Sequence, residues 1–115
     1  MSKLLENLRE QGEDIQGAME RFLDDEELYE QCFESFLEDR AFEQLASSLK
    51  NQSYDEAFDY AHMLKGVSGN LGLTTMFEML SQMVSLYREK KYNEMAPIAQ
   101  SILEHRTKLE ELVHG

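Results

Sequence analysis

One stretch of the sequence places a histidine, a lysine and two glycines at helical spacing. His62, Lys65, Gly66 and Gly69 stand at positions i, i+3, i+4 and i+7. Because an α-helix turns by about 100° per residue, these four residues share one face. The lysine, one turn from the imidazole, could stabilise a negatively charged group on a ring nitrogen. The opposite, apolar face, predicted to be buried, consists of Ala57, Tyr60, Leu64, Val67, Ser68 and Leu71.

The two glycines leave the face around His62 without side chains. Glycine inside a helix costs about 0.5–1 kcal/mol relative to alanine. Their presence beside an outward-pointing histidine leaves room for another molecule to approach the ring. Phe58, at i−4, adds a partly exposed aromatic ring, which suits a docking patch. These features alone do not identify a reaction, because a solvated histidine–lysine pair also fits them.

The elements that must position this face are helices. The 115 residues contain one proline and six glycines, so residues that break helices are scarce. We predict short helices at 2–11 and 14–23. An acidic run at 24–27 suits a helix N-terminus, and the apolar residues from Leu28 to Leu49 then keep a helical period over about six turns.

The helix that carries His62 is predicted to begin at a capping box and to end at a glycine. Ser53 stands as N-cap with Glu56 three residues later, and Gly72 ends the helix. Another helix starts at Thr74 or Thr75. The last begins near residue 93 and holds Pro97 in its first turn, where proline is tolerated.

These elements predict an all-α fold. Four longer helices joined by short connections favour an antiparallel up-down-up-down four-helix bundle with a short helical N-terminal lead. A chain of this length fits one domain, 1–115, with the lead at 1–24 and the bundle at 25–113.

Composition excludes several classes of function. A net charge of −12 disfavours nucleic acid and anionic membrane surfaces as partners. Neither a signal peptide nor the roughly 18 apolar residues of a membrane span occur in the sequence. The single cysteine, Cys32, cannot form an intrachain disulfide and reads as a buried small hydrophobe. We therefore expect a cytoplasmic protein.

The segment around His62 resembles the signature of histidine-containing phosphotransfer (HPt) domains. The residues that carry the resemblance are Ala61, His62, Met63, Leu64, Lys65 and Gly66, followed by Ser68, Asn70, Leu71 and Gly72. The order of the helices around this motif is also similar to that family, over most of the chain.

The resemblance implies a role for each matching residue. His62 would accept the phosphoryl group, Lys65 would stabilise it, and Gly66 would permit the approach of a partner. Gln82 matches a glutamine that hydrogen-bonds near the histidine in many members, although Met83 and Val84 follow it here where the family often has Leu-Glu. Phe58, Gly66 and Gly69 would together form the partner-binding surface.

The resemblance also implies a phosphorelay intermediate that is not an independent enzyme. It would take a phosphoryl group from a receiver-domain aspartate, or from a histidine kinase relay, and pass it to a response-regulator receiver. An upstream hybrid histidine kinase is implied. The chain would have no cofactor of its own, Mg²⁺ would come with the receiver domain, and the protein would be a monomer.

Two alternatives remain at this point. The chain could be a non-catalytic helical adaptor that only docks receiver domains. It could also bind metal within the bundle, since Asp59 and His62, and Glu111 and His114, have Glu-x-x-His-like spacing. The first pair points outward and the second lies at the C-terminus, so we predict no metal site. His105 and His114 are expected to be surface residues without a role.

Overall fold

The computed structural model describes residues 2 to 114, with the backbone alone at residue 114. These residues form helices and no strand, which confirms the all-α prediction. The helices are α1 (Lys3–Glu10), α2 (Ile15–Arg21), α3 (Glu26–Leu37), α4 (Ala41–Lys50), α5 (Tyr54–Asn70), α6 (Thr74–Arg88) and α7 (Met95–His114), with a short 3₁₀ helix, Tyr92–Glu94, before α7.

Helix α5, which carries His62, packs between two neighbouring helices. It contacts α4 on one side and α6 on the other, and α7 contacts both α6 and α4. Residues from all seven α-helices contribute to one hydrophobic core. The inner side of α5 is fully buried at Ala57, Ala61 and Leu64. The packing therefore leaves only the outer side of α5 to face solvent.

The predicted helix from Leu28 to Leu49 is wrong, because the chain turns at Glu38–Arg40 between α3 and α4. Asp39 makes this turn: its Oδ1 accepts the N–H of Ala41 at 2.8 Å, and its own N–H donates to the Phe36 carbonyl at 3.1 Å. Such local side-chain bonds compete with the helical ladder. The buried residues Leu37, Ala41 and Leu45 keep a four-residue spacing across the turn, so apolar periodicity could not indicate the break.

The second short helix also ends earlier than predicted. Helix α2 stops at Arg21, and both Leu23 (φ 53°) and Asp24 (φ 62°) adopt left-handed backbone conformations. Leu23 is consequently 87% exposed and takes no part in the helix.

The capping box predicted at the start of α5 is half right. Ser53 is the N-cap, but within residues 2–114 its side chain makes no hydrogen bond to the helix N-terminus. Acidic Asp55 and Glu56 in the first turn still complement the positive end of the helix dipole.

Tyr29 links α3 to the end of α5, a role that the apolar pattern did not indicate. Leu28, which the pattern placed at the start of the buried stripe, is 43% exposed, whereas Tyr29 is fully buried. The Tyr29 hydroxyl donates to the Leu71 carbonyl at 2.6 Å. Burial raises the pKa of Tyr29, so the hydroxyl keeps its proton beyond the pH at which a tyrosine ordinarily ionises.

We expect Tyr29→Phe to lower the free energy of unfolding by roughly 1–3 kcal/mol, because the Leu71 carbonyl loses its buried donor. Urea unfolding followed by circular dichroism measures this change. Tyr60→Phe, at a half-buried tyrosine of α5, is the matched control and should have a smaller effect. Equal losses in the two variants would contradict the role given to the Tyr29 hydroxyl.

Two composition-based expectations concern Cys32 and the membrane. Cys32 is half-buried and packs against the core, so it is less enclosed than predicted. Within the part of the chain that the structure describes, no helix combines the length and the apolar character that crossing a bilayer requires.

Candidate functional site

His62 lies exposed on the outer side of α5, as its helical spacing predicted. Its neighbour Ala61 and the next core residue, Leu64, are fully buried. Val67 was predicted to be buried as well, but it is 37% exposed, because it borders an open groove between α3 and α5 instead of the core. The outer face of α5 is therefore more apolar than the sequence indicated.

An aromatic wall flanks His62 on the α6 side. The Phe58 ring centroid lies 5.8 Å from that of the imidazole, and Phe58 stacks on Tyr87 of α6 at 4.6 Å. The Tyr87 hydroxyl donates to the Asp55 carboxylate, and this hydrogen bond raises the pKa of Tyr87 to about 12. Phe58 is thus held by contacts from two helices, and it is half-buried beside the imidazole.

Two cations lie on aromatic rings of this face. The Lys65 Nζ is 5.5 Å from the Phe77 ring centroid, and the Arg88 guanidinium is 5.7 Å from that of Phe58. Such cation–π contacts hold a flexible side chain near a ring. Because Phe58 also neighbours His62, Arg88 joins Lys65 in bringing positive charge to this region. Its position in the last turn of α6 would by itself indicate only a complement to the negative end of the helix dipole.

The two glycines of the face differ in what surrounds them. A Cβ built at Gly66 would meet no atom of the described residues within 4 Å, so the fold itself has no steric need for glycine there. A Cβ at Gly69 would lie 3.3 Å from two atoms of the Phe77 ring, so Gly69 makes room for α6. The open approach to His62 therefore depends on Gly66, whereas Gly69 serves the packing of α5 against α6.

The helical phase of α6 directs Gln82 away from the side that meets α5. The α6 residues that meet α5 include Phe77, opposite Gly69, and Tyr87, which stacks on Phe58. Gln82 is five residues from each of them, which is about 140° around the helix. It is exposed on the far side of α6.

Ser81 is a polar residue of α6 that sequence reasoning missed. It follows Phe77 by four residues and so lies on the face that meets α5. Its Oγ is buried and has no hydrogen-bond partner among the described residues. The one sequence feature that could have indicated its position is the four-residue spacing from Phe77. That spacing is informative only once the contact between Phe77 and α5 is known.

Arg21 fixes the C-terminal end of α5. Its Nη2 and Nε donate to the carbonyls of Gly69 and Asn70 at 3.0 and 3.1 Å. The guanidinium satisfies end carbonyls that the helix leaves open and complements the negative end of the dipole. The short helix α2 therefore helps to position the helix that carries His62.

The other histidines differ from the prediction or lie outside the description. His105 is half-buried, and burial lowers its pKa, so it is not a plain surface residue. The His114 side chain lies outside the described residues. Among the described side chains, those of residues 2–113, no group of three or more His, Cys, Asp and Glu could hold a metal ion.

Most of the chain, including the whole His62 face, matches a known family. The model of the Hpt domain family matches residues 27–115. The chain belongs to the Hpt domain family. Hpt domains are phosphotransfer carriers that use a histidine in phosphorelays. No curated protein and no solved structure matched the chain.

The Hpt match begins in the first turn of α3 and extends through α7. The two short helices α1 and α2 precede it, although Leu5 and Leu8 of α1 are fully buried in the shared core. In this Hpt domain, residues outside the matched segment thus help to build the fold around α5.

Proposed function

We propose that this Hpt domain is a phosphorelay intermediate that accepts a phosphoryl group on His62 and passes it to a response-regulator receiver. The observation that carries the proposal is an exposed histidine beside a helical glycine, Gly66, around which the fold leaves open space. Glycine at position 66 costs helix stability, although no packing contact within the fold requires it. The space that it leaves is room for a partner.

The proposed transfer needs little from this chain beyond position and charge. A ring nitrogen of His62 attacks the phosphorus of a receiver aspartyl phosphate in line. The N–P bond forms as the P–O bond breaks, and the aspartate leaves as a carboxylate. The reverse reaction delivers the group to the next receiver. Positioning and charge stabilisation supply most of the catalysis in such transfers. We assign Mg²⁺ to the receiver and no cofactor to this chain.

The surface around His62 suits a protein partner. Met63 and Val67 of α5 and Phe77 of α6 are large apolar side chains that are 45%, 37% and 37% exposed. Apolar side chains clustered at a surface are typical of protein interfaces. With Phe58 they extend along both sides of His62, so a receiver that covers them would bring its aspartate over the imidazole.

The test of the function is incubation with a phosphorylated receiver domain. A carrier takes label that is acid-labile and base-stable, as expected of a phosphorus–nitrogen bond on histidine. The alternative, a non-catalytic adaptor, binds the receiver without taking label. Absence of label with every receiver of the source genome would overturn the carrier proposal.

Lys65→Gln should slow phosphotransfer about tenfold, because one cation near the transferred group contributes on the order of 1–1.5 kcal/mol. Arg88→Gln should slow it less, since Arg88 acts from across the Phe58 ring. Transfer rates with a phosphorylated receiver measure both effects. Lys50→Gln, an exposed lysine at the end of α4, makes the same change of net charge elsewhere. Slowing by Lys50→Gln equal to that by Lys65→Gln would show a general charge effect instead.

Gln82→Ala should leave the transfer rate within about twofold of wild type, because exposed substitutions away from special features have small effects. Ser81→Ala, on the face that meets α5, is the paired variant and should change the rate more. The measurement is again transfer from a phosphorylated receiver. A large loss in Gln82→Ala alone would restore the role that the resemblance implied for Gln82.

The same proposal includes an up-down-up-down order of α4 to α7. The Tyr87–Asp55 hydrogen bond joins the last turn of α6 to the first turn of α5. Arg106 of α7 meets Glu43, in the first turn of α4, at 2.7 Å. These contacts, together with short connections, support antiparallel neighbours.

We further propose a single domain over 1–115 and a monomer that works in the cytoplasm. Its partners would be receiver domains and an upstream hybrid histidine kinase. The support is the family membership and the excess of negative charge, −12 net, which disfavours nucleic acid and anionic membranes as partners.

A further inference from the structure

An open groove runs along α3, beside the helix that carries His62. It consists of two adjoining depressions of about 430 and 510 Å³ that share Leu28 as a wall. The first lies between α3 and α5, and the second reaches the turn after α2. We call the two together the α3 groove, and its apolar lining residues are Phe22, Leu23, Leu28, Cys32, Phe36 and Val67.

Leu23, at one end of the α3 groove, is the most exposed large apolar side chain among the described residues. It is 87% exposed, and its φ of 53° lies in the left-handed region that glycine and asparagine adopt more readily. Backbone hydrogen bonds hold this turn, from Asp24 to Met19 at 2.8 Å and from Asp25 to Phe22 at 3.0 Å. The fold thus keeps a leucine fixed in solvent, at a position where its backbone is unfavourable and its side chain is not packed.

The approach to His62 opens toward the α3 groove. Measured around α5 from His62, Gly66 lies at about 40° and Val67 at about 140° in the same direction. Gly69, which faces Phe77 of α6, lies about 20° in the other direction. The space that Gly66 leaves is therefore on the side of Val67 and the groove, and the opposite side is closed by α6.

The rim of the α3 groove is acidic. Asp39 lines the groove, and exposed Glu27 and Glu34 lie one turn on either side of Gln31, which also lines it. Arg21, at the far end, is already engaged, because its guanidinium donates to two carbonyls at the end of α5. A complementary partner therefore presents apolar side chains bordered by lysine or arginine.

A second copy of this chain fits the α3 groove poorly. In a two-fold symmetric dimer the same surface meets itself, so the two acidic rims would lie against each other. Like charges opposed across an interface are unfavourable. The charge of the rim therefore favours a different protein as the occupant.

We propose that the α3 groove docks the receiver domain that exchanges a phosphoryl group with His62, and that Leu23 and Leu28 select receivers with an apolar ridge bordered by lysine and arginine. This inference rests on the proposed function of His62. Leu23 precedes residue 27, where the match to the Hpt family begins. Part of the selecting surface thus comes from a segment outside the family match.

The experiment uses the full chain and the receiver domain of the source genome that labels it fastest. Calorimetric titration with the unphosphorylated receiver measures the Kd. Leu23→Asn should raise the Kd about tenfold, because the receiver no longer buries a leucine side chain. The urea midpoint of this variant should equal or exceed that of wild type, since asparagine tolerates the left-handed backbone. Leu28→Gln should also raise the Kd, and an unchanged Kd in both variants would overturn the proposal.

A charge reversal tests the acidic rim. Glu34→Lys should raise the Kd about threefold or more, and added salt should weaken binding by wild type more than binding by this variant. Glu111→Lys, at an exposed glutamate of α7, makes the same change of net charge away from the groove and should stay within about twofold of wild type. Equal effects of the two reversals would overturn the selection by the rim.

Two further readouts separate this proposal from its alternatives. His62→Gln should bind the receiver with the wild-type Kd, because docking uses the groove and not the imidazole. If no receiver labels wild type, the proposed function fails, whereas label transfer with unchanged Kd in both leucine variants overturns the docking surface alone. Sedimentation that shows a wild-type dimer, lost in Leu23→Asn, would assign the groove to a second copy and would also overturn the proposal.

Discussion

His62→Gln is expected to take no acid-labile label from a phosphorylated receiver domain, because the glutamine amide has no nucleophilic nitrogen to replace the imidazole. His62 is exposed, so its free energy of unfolding should change by no more than about 0.5 kcal/mol. Autoradiography after acid and base treatment measures the label, and circular dichroism with urea measures the stability. A variant that folds normally but takes no label would show that His62 is needed for the transfer and not for the fold.

The matched control for this variant is His105→Gln. His105 lies in the middle of α7, a different helix from the one that carries His62, so its replacement should leave the label on the protein. Label that persists in His62→Gln and disappears in His105→Gln would place the phosphoryl group on the wrong helix for our proposal. Label that persists in both would indicate an acceptor other than these two histidines.

Gly66→Gln is expected to slow phosphotransfer about 100-fold, because a long side chain on the open face displaces the partner from the imidazole. The same change should raise stability by about 0.5–1 kcal/mol, since glycine is a poor helix former and a side chain there meets open space within the described residues. Transfer and stability therefore move in opposite directions. Transfer assays quenched at timed intervals measure the transfer rate, and urea unfolding of the same variant measures the stability.

Gly69→Ala is the control for the packing role of a glycine. Its Cβ would press against the Phe77 ring at 3.3 Å, so we expect none of the stability gain of Gly66→Gln. Gly66→Ala should gain stability with a smaller loss of transfer than Gly66→Gln. Transfer at the wild-type rate in Gly66→Gln would mean that receivers do not approach across this face.

The sequence by itself determined the helical character of the chain and the orientation of His62. Both follow from local periodicity: Ala57 and Leu64 must be buried if α5 packs at all, and His62 then faces outward. The four-residue spacing that predicted burial so well also continued across the turn at Asp39. Apolar periodicity indicates which residues face the core. It cannot indicate a turn after which the same apolar spacing continues.

Only the tertiary structure decided which residues surround His62. Arg88 reaches the Phe58 ring and Gln82 points away because of how α6 is rotated against α5. That rotation depends on packing between residues far apart in sequence, such as Gly69 with Phe77. The spacing of residues within α6 alone does not predict this rotation.

The roles of the two N-terminal helices were decided in the same way. Arg21 bonds the end of α5, although it lies about 50 positions earlier in the chain, and Leu5 and Leu8 of α1 are fully buried in the shared core. Helix ends need partners, but the sequence does not say which distant side chain supplies them. The sequence therefore placed His62 on the outer face of its helix, and the fold determined what holds that helix in place and which charges lie beside His62.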